Sequence, residues 1–253
     1  MTPTLLKQIE SKAAPEDLLV EVFGLLGDRA ALGTSGQLAG SAILDMAVGA
    51  GLHPRVYTLD TGRLFPETLE YFQTLEKRYG LRIERFTPNK ANLDQMIARH
   101  GENLFFDSKE KQELCCRLRK VEPNLEALAT LDAWVTGLRA DQSEHRAGVR
   151  RLEMISLDFP EGSRSLLKVC PLADWTEAQV RAYLEEHNVP LHPLLEWEQN
   201  GWRYESLGCV ICTTPIGPGE PRRAGRWRWF NQSVADDKKE CGLHLPYPEP
   251  GAS

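Results

Sequence analysis

Apolar and polar positions form two different patterns along this chain. Short apolar runs predict buried strands, and segments with apolar positions three or four residues apart predict helices. The predicted strands cover residues 29–33, 55–59, 81–86 and 133–136, and the predicted helices cover the stretch from a turn at residues 34–37 to about residue 50, and residues 66–79, 90–100 and 109–120. This alternation predicts an α/β fold with a parallel sheet that carries helices on both faces.

The pattern changes in the second half of the chain. Residues 152–169 predict one or two further strands around a turn at Gly162. Asp174 is the predicted N-cap of a helix that ends near Glu186, with Glu177 at the capping-box position. From Gly201 onward Gly and Pro are frequent and the helical spacing is lost. We therefore predict an α/β domain over residues 1–206 and a loop-rich C-terminal segment over residues 207–253.

Composition limits the possible partners. The chain has 253 residues, with 30 Lys and Arg against 36 Asp and Glu, and a formal charge of −6. That charge argues against nucleic acid or a membrane surface as a partner. The sequence shows no leader pattern and no apolar run near the ~18 residues of a membrane span. Six cysteines are too few for a disulfide scaffold. These features predict a soluble chain in the reducing cytoplasm.

Ligands of parallel sheets bind beyond the carboxyl ends of the strands. Glycines and polar residues follow three of the predicted strands, in turns whose backbone amides suit anionic groups. Ordinary loops contain the same residues, so it is their joint occurrence that indicates a site. The candidate binding residues are Ser35 after the first strand, Thr61 and Arg63 after the second, and Gly137 and Arg139 after the fourth.

Four of the cysteines form two pairs. Cys115 and Cys116 are adjacent, whereas Cys209 and Cys212 form a Cys-x-x-Cys. Four thiols match the ligand count of a [4Fe-4S] cluster or of a structural zinc. An adjacent pair is awkward around one zinc, because neighbouring side chains on a helix diverge by about 100°, and it suits the wider cluster better. Buried thiols without a metal are the third interpretation.

Two motifs near the C-terminus carry reactive or cationic groups. Cys241 lies within Lys238–His244, where the neighbouring cations and imidazole favour a nucleophilic thiolate; an incidental surface cysteine is the alternative. Residues 222–230 interleave four arginines with three aromatic residues, a mixture that suits a small nucleotide anion. The alternative there is that Trp227 and Trp229 anchor the tail among solvated arginines.

Six stretches carry a common family pattern: Cys115–Val121, Leu131–Ser143, Pro171–Thr176, Gly208–Thr213, Ala224–Trp227 and Glu240–His244. In these stretches the chain resembles the assimilatory adenylyl-sulfate reductases, and the likeness extends over about residues 30–244. The resemblance implies a Rossmann-like fold of the adenine nucleotide alpha hydrolase type. It also implies that adenosine 5′-phosphosulfate (APS) is reduced to sulfite and AMP, with thioredoxin or glutaredoxin as electron donor, in sulfate assimilation for cysteine biosynthesis.

The resemblance also implies roles for individual residues. Cys241 is expected to attack the substrate and carry an S-sulfocysteine. Lys120, Arg223 and Arg226 are expected to bind the phosphosulfate, and His244 is expected to be a substrate-binding residue. The two cysteine pairs are expected to hold a [4Fe-4S] cluster. A homo-oligomer is compatible with this assignment.

A few positions depart from the family pattern. The first turn of the family usually reads Ser-Phe-Gly-Ala-Glu-Asp or similar, whereas the residues after Ser35 include neither acid. Cys170 stands where asparagine is common, and Thr214 replaces an arginine often found after Cys-x-x-Cys-Thr. The role of the first turn therefore does not carry over from the family.

Two other functions stay open. A reductase for the 3′-phosphorylated substrate (PAPS), or a dual-specificity enzyme, shares nearly all these motifs, although that branch commonly lacks the four cluster cysteines. A zinc-stapled nucleotide-binding protein without redox activity needs the arginines and the cysteine pairs but not Cys241. A 3′-phosphate requires its own cationic pocket, and the assignable cations are already used, so the sequence predicts a preference for APS.

Overall fold

A computed structural model describes residues 3–143, 146–159 and 161–230 of the chain. Within these ranges no helix is both long and apolar enough to cross a membrane. The predicted nucleophile Cys241 and the predicted ligand-binding His244 lie outside the described residues.

A six-stranded sheet forms the core. Its strands are β1 (Ala30–Gly33), β2 (Arg55–Leu59), β3 (Ile83–Phe86), β4 (Ala133–Thr136), β5 (Leu152–Phe159) and β6 (Gly162–Val169), in the order β3-β2-β1-β4-β6-β5. β1 is parallel to β2 and β4, and β4 is parallel to β6; β5 is antiparallel to β6. Leu32 pairs with Val56 on one side and Val135 on the other, so apolar side chains line up across the sheet. The predicted mostly parallel α/β fold is confirmed.

Five helices follow the strands where the sequence predicts them: α3 (Leu38–Gly49), α4 (Pro66–Tyr79), α5 (Lys90–His100), α6 (Lys109–Cys116) and α8 (Glu177–Glu186). Two more, α7 (Glu122–Leu128) and the short α9 (Pro193–Glu196), were not predicted. α3 is buried on all sides from Leu38 to Ala47. Two N-terminal helices, α1 (Pro3–Glu10) and α2 (Pro15–Leu26), precede the sheet, where no element was predicted.

Two details of the predicted helices are wrong. The helix expected over residues 109–120 ends at Cys116 and continues as a π-helical turn, Arg117–Val121. Pro123 lacks an N–H, and its ring crowds the carbonyl four residues back. The backbone hydrogen bonds before it therefore change to the π-helical spacing, in which the Glu122 N–H donates to the Arg117 carbonyl five residues back. The N-cap of α8 is Thr176, not Asp174, and Gln179 rather than Glu177 completes its capping box.

The described part of the C-terminal segment is rich in loops, as the Gly and Pro content predicts. A two-stranded hairpin, β7 (Glu198–Gln199) and β8 (Trp202–Arg203), precedes it. Between residues 207 and 230 the chain forms two short helical turns, at Val210–Cys212 and Arg228–Phe230, and isolated bridges join Arg203 to Ile216 and Thr213 to Arg226.

The chain divides into two compact units. Unit 1 comprises residues 1–58, 67–84 and 128–193, and holds most of the sheet with α2, α3 and α8. Unit 2 comprises residues 59–66, 85–127 and 194–253, and holds α5, α6 and the C-terminal segment. The boundary predicted between residues 206 and 207 stays a prediction.

Candidate functional site

In unit 1, the turns after β1 and β4 meet at the carboxyl edge of the sheet. The strand order changes direction between these two neighbours, and such a point is where open α/β sheets bind ligands. Gly137, after β4, is required for their close approach, because a Cβ there would lie 3.0 Å from the backbone nitrogen of Gly40 in the first turn of α3. The predicted residues Ser35 and Gly137 are therefore brought to one edge.

The turn after β1 is closed by its own residues. Gly36 adopts a φ of +69°, and its N–H donates to the Thr34 hydroxyl at 3.1 Å. That hydroxyl leaves no room for a side chain at Gly40, since a Cβ there would come within 2.5 Å of it. Among the described residues no side chain caps the start of α3 at Gln37. The first N–H groups of this helix consequently suit an anionic ligand.

Arg139, also in unit 1, is buried against carboxylates. Its Nε donates to Asp141 Oδ1 at 3.0 Å, and its Nη2 lies 3.8 Å from Glu177 Oε2. Asp141 accepts in addition from the Glu177 N–H at 2.7 Å, so the arginine ties the turn after β4 to the start of α8. Its predicted role toward a ligand stays a prediction.

In unit 2, the Asp60–Arg63 turn after β2 joins the two cysteine segments. Asp60 Oδ1 accepts from the Gly62 N–H at 3.0 Å, which fixes the turn. The Thr61 carbonyl accepts from Arg119 Nη1 at 2.6 Å, and the Arg63 carbonyl accepts from the Val210 N–H at 2.9 Å. One turn therefore contacts both the Cys-Cys helix end and the Cys-x-x-Cys.

The Arg63 side chain makes its own contacts within unit 2. Its guanidinium lies 5.1 Å from the centre of the Phe105 ring, and Nη2 donates to the Glu102 carbonyl at 2.9 Å. These contacts fix the Arg63 side chain against the Glu102–Phe105 segment.

The four paired cysteines lie together in the interior of unit 2. Each is a free thiol and is between 4% and 7% exposed. Cys116, Cys209 and Cys212 pack with Trp227 in one apolar cluster, and Cys115 packs in a neighbouring cluster that shares Ile211 and Trp229 with it. Cysteines far apart in sequence are thus brought together, whereas no group of three or more His, Cys, Asp or Glu side chains among the described residues is placed to hold a metal ion.

Buried cations surround these thiols. Burial raises the pKa of a thiol, but at Cys209 the charge of Lys120 and the hydrogen bond with the Thr61 hydroxyl, at 3.3 Å, outweigh it and lower the pKa, with help from Arg226. Burial raises the pKa of Cys212 to about 11, although Lys120 and Arg226 oppose it. The Cys209 sulfur therefore holds negative charge more readily than the Cys212 sulfur.

Some buried polar atoms among the described residues of unit 2 make no hydrogen bond. Arg119 Nε, Thr213 Oγ1 and Trp227 Nε1 are shielded from solvent and have no hydrogen-bond partner among the described residues. Each such buried group costs on the order of 1–3 kcal/mol. Trp227 packs against three of the thiols. Together with four buried thiols, these donors and cations fit an anionic, sulfur-rich group such as a [4Fe-4S] cluster.

The arginines of the C-terminal segment differ in their surroundings. Arg226 is buried beside Trp227, with its guanidinium 5.0 Å from the ring centre, and it packs against Gly208, where any side chain would collide with it. Arg223 is half-buried, and its carbonyl accepts from the Arg226 N–H at 3.0 Å. The structure therefore places Arg226 and Lys120 near the thiols, and Arg223 one turn before Arg226 in the chain.

Sequence reasoning missed two residues of this site. Arg119 is buried and acts on Cys115, whose pKa burial raises and Arg119 lowers. Gln112 is buried and donates to the Cys116 sulfur. The signal for Gln112 was available, because it stands four residues before Cys116 on the same helix face. Arg119 stands four residues after Cys115, so the same spacing was available as a signal for it.

Cys170 is separate from these thiols. It lies in unit 1, is 1% exposed, and burial raises its pKa to about 12. Such a thiol is a poor nucleophile.

Comparison with known proteins places these features in a family. Residues 29–215 match the family model of the phosphoadenosine phosphosulfate reductase domain. The chain is 40% identical to adenosine 5′-phosphosulfate reductase of Burkholderia cepacia over 97% of this chain and 90% of that protein. It is 45% identical to the protein of the same name from Rhizobium tropici, over 74% of this chain and 96% of that one.

A solved structure agrees at the level of the fold. The phosphate complex of phosphoadenylyl-sulfate (PAPS) reductase from Candida auris superposes with a TM-score of 0.64 at 23% identity, over 85% of this chain and 98% of that one. The resemblance inferred from the motifs is confirmed, and the chain belongs to the phosphoadenosine phosphosulfate reductase family.

Proposed function

We propose that this protein reduces adenosine 5′-phosphosulfate to sulfite and AMP. The observation that carries the proposal is the group of buried thiols and cations in unit 2, built on Thr61, Lys120 and Arg226. The relatives named adenosine 5′-phosphosulfate reductase, which match over most of the chain, support the choice of APS as substrate.

The proposed reaction has two stages. The Cys241 thiolate attacks the sulfur of the phosphosulfate, a sulfur–oxygen bond to phosphate breaks, and AMP leaves with the bonding pair. The enzyme then carries an S-sulfocysteine. The dithiol of thioredoxin, or of glutaredoxin, supplies two electrons, sulfite is released, Cys241 is restored as a thiol, and the donor becomes a disulfide.

Binding of the substrate is assigned to two groups of residues. Lys120, Arg223, Arg226 and His244 neutralise the phosphosulfate and the charge that develops on the departing phosphate. The remaining proposed contacts to the nucleotide are Ser35, Thr61, Arg63, Gly137 and Arg139.

We also propose that Cys115, Cys116, Cys209 and Cys212 hold a [4Fe-4S] cluster. Their burial, the adjacent cations and the unused donors of Arg119 and Trp227 support this. When bound, the cluster supplies negative charge that offsets these buried cations. Iron and acid-labile sulfide in anaerobically purified protein test the assignment; zinc without sulfide contradicts it. The cytoplasm, as a reducing compartment, belongs to the same proposal.

The alternative substrate is PAPS, and a direct comparison decides between the two. We expect sulfite release in the presence of excess reduced thioredoxin to show a higher kcat/KM with APS than with PAPS, because the assigned cations leave none for a 3′-phosphate. Equal or reversed specificity contradicts this choice of substrate. Absence of sulfite release from both substrates supports instead a nucleotide-binding protein without redox activity.

A further inference from the structure

A buried glutamine contacts one of the four thiols. Gln112 is 7% exposed, and its side-chain Nε2 donates a hydrogen bond to the Cys116 sulfur at 3.1 Å. An amide removed from water costs on the order of 1–3 kcal/mol unless its donors are used. An apolar side chain would fill this interior position at lower cost, so the amide indicates a specific use.

The helix that carries Gln112 directs it at the thiol. Ser108 is the N-cap of α6 and accepts from the Lys111 N–H at 3.3 Å. The exposed face of the helix carries Glu113, and Lys111 pairs with Asp107 at 2.7 Å. Gln112 and Cys116 stand four residues apart on the inward face, where side chains meet.

We propose that Gln112 is a positioning residue for Cys116 as a cluster ligand. Its N–H holds the sulfur in one orientation and stabilises negative charge on it. Hydrogen bonds to ligand sulfurs are one of the means by which proteins tune iron–sulfur clusters, and groups behind a metal ligand help to retain the metal. The inference rests on the proposed [4Fe-4S] cluster and adds a residue to it.

The test compares Gln112→Met, which removes the donor at similar length, with Gln112→Glu, which places an oxygen where the donor stood. Glu113→Met on the exposed face of the same helix is the matched control. Each protein is purified and reconstituted anaerobically in full length. Iron and sulfide are counted, the Fe–S(Cys) stretching bands are recorded by resonance Raman spectroscopy in H2O and D2O, and iron release to a chelator is timed.

We expect wild type and Glu113→Met to share one spectrum with a deuterium-sensitive band. Both Gln112 variants should lose that sensitivity and release iron about tenfold faster. If one of them does not fold, the other carries the comparison. Unchanged bands and release rates in a cluster-bearing variant overturn the role of Gln112 alone. Wild-type protein without iron and sulfide overturns the cluster proposal, and the role of Gln112 with it.

Discussion

At the scale of single residues, the proposed binding of the phosphosulfate by Lys120, Arg223 and Arg226 can be tested one cation at a time. Lys120→Ala, Arg223→Ala and Arg226→Ala should each weaken binding of APS by roughly ten- to a hundredfold, since a charge-assisted hydrogen bond contributes about 1.5–3 kcal/mol. Calorimetric titration in a Cys241→Ser background, where the substrate is not consumed, measures the affinity. Arg222→Ala is the matched control, because Arg222 is exposed and pairs with Glu205. Unchanged affinity in all three variants refutes the placement.

Residue-scale prediction from sequence succeeded where the residue type itself determines the chemistry. The cysteine pairs were identified from their spacing, and the structure gathers them in unit 2. Arg63 shows the limit, because its partner Glu102 stands 39 positions away in the chain, and no local pattern shows that this cation is already paired. Arg139 has one local partner, Asp141, but its second carboxylate, Glu177, stands 38 positions away.

At the scale of elements, the start of α8 offers a direct test of a corrected assignment. Thr176→Ala should reduce the free energy of unfolding by about 1 kcal/mol, because it removes the capping hydroxyl. The Thr176 hydroxyl accepts from the Gln179 N–H, and the Gln179 side-chain oxygen accepts from the Thr176 N–H. Urea unfolding followed by circular dichroism measures the difference. Asp174→Ala, the control at the position first predicted, should change it by less than about 0.5 kcal/mol. A larger loss in the control than in Thr176→Ala contradicts the observed cap.

Strands and helices with strong periodicity were predictable, and their bounds for β2, α4, α5 and β4 match the structure. Elements without strong periodicity were not predicted. α2 begins with Pro15 and two acidic residues, a helix-start signature that was present in the sequence but was not used. The π-helical turn after Cys116 arises from Pro123, whose effect on the preceding turn does not alter the hydrophobic pattern.

At the scale of the whole molecule, stability should depend on a buried histidine. Burial lowers the pKa of His192 to about 4, although nearby Glu67 opposes this, and the His192 Nε2 lies 2.8 Å from the Thr68 hydroxyl. The unfolded chain, with a pKa of about 6.5, binds a proton that the folded chain does not. The free energy of unfolding should therefore fall by on the order of 2–3 kcal/mol as the pH drops from about 6.5 to about 4.

Urea unfolding at several pH values tests this dependence. His192→Gln removes the titrating group and should flatten the fall, whereas His53→Gln, at an exposed position, should leave it unchanged. A His192→Gln variant that loses stability with the same pH profile as wild type contradicts the assignment.

The division into two compact units could not be predicted from the sequence. Each unit is assembled from three separate stretches of chain, so no single boundary separates them. A change of composition marks a boundary only where a domain is a continuous stretch of chain. The higher Gly and Pro content after Gly201 could therefore be recognised in the sequence, but the assignment of residues 59–66 to unit 2 could not.

The most direct test of the proposed reaction is to mix the protein with APS without thioredoxin and locate the product by peptide mass spectrometry. The proposal predicts an adduct of sulfite mass on Cys241, its release as sulfite when reduced thioredoxin is added, and no adduct in Cys241→Ser. Cys170 should stay unmodified, because it is buried and burial raises its pKa to about 12. An adduct on Cys170, or sulfite release by Cys241→Ser, contradicts the proposed mechanism.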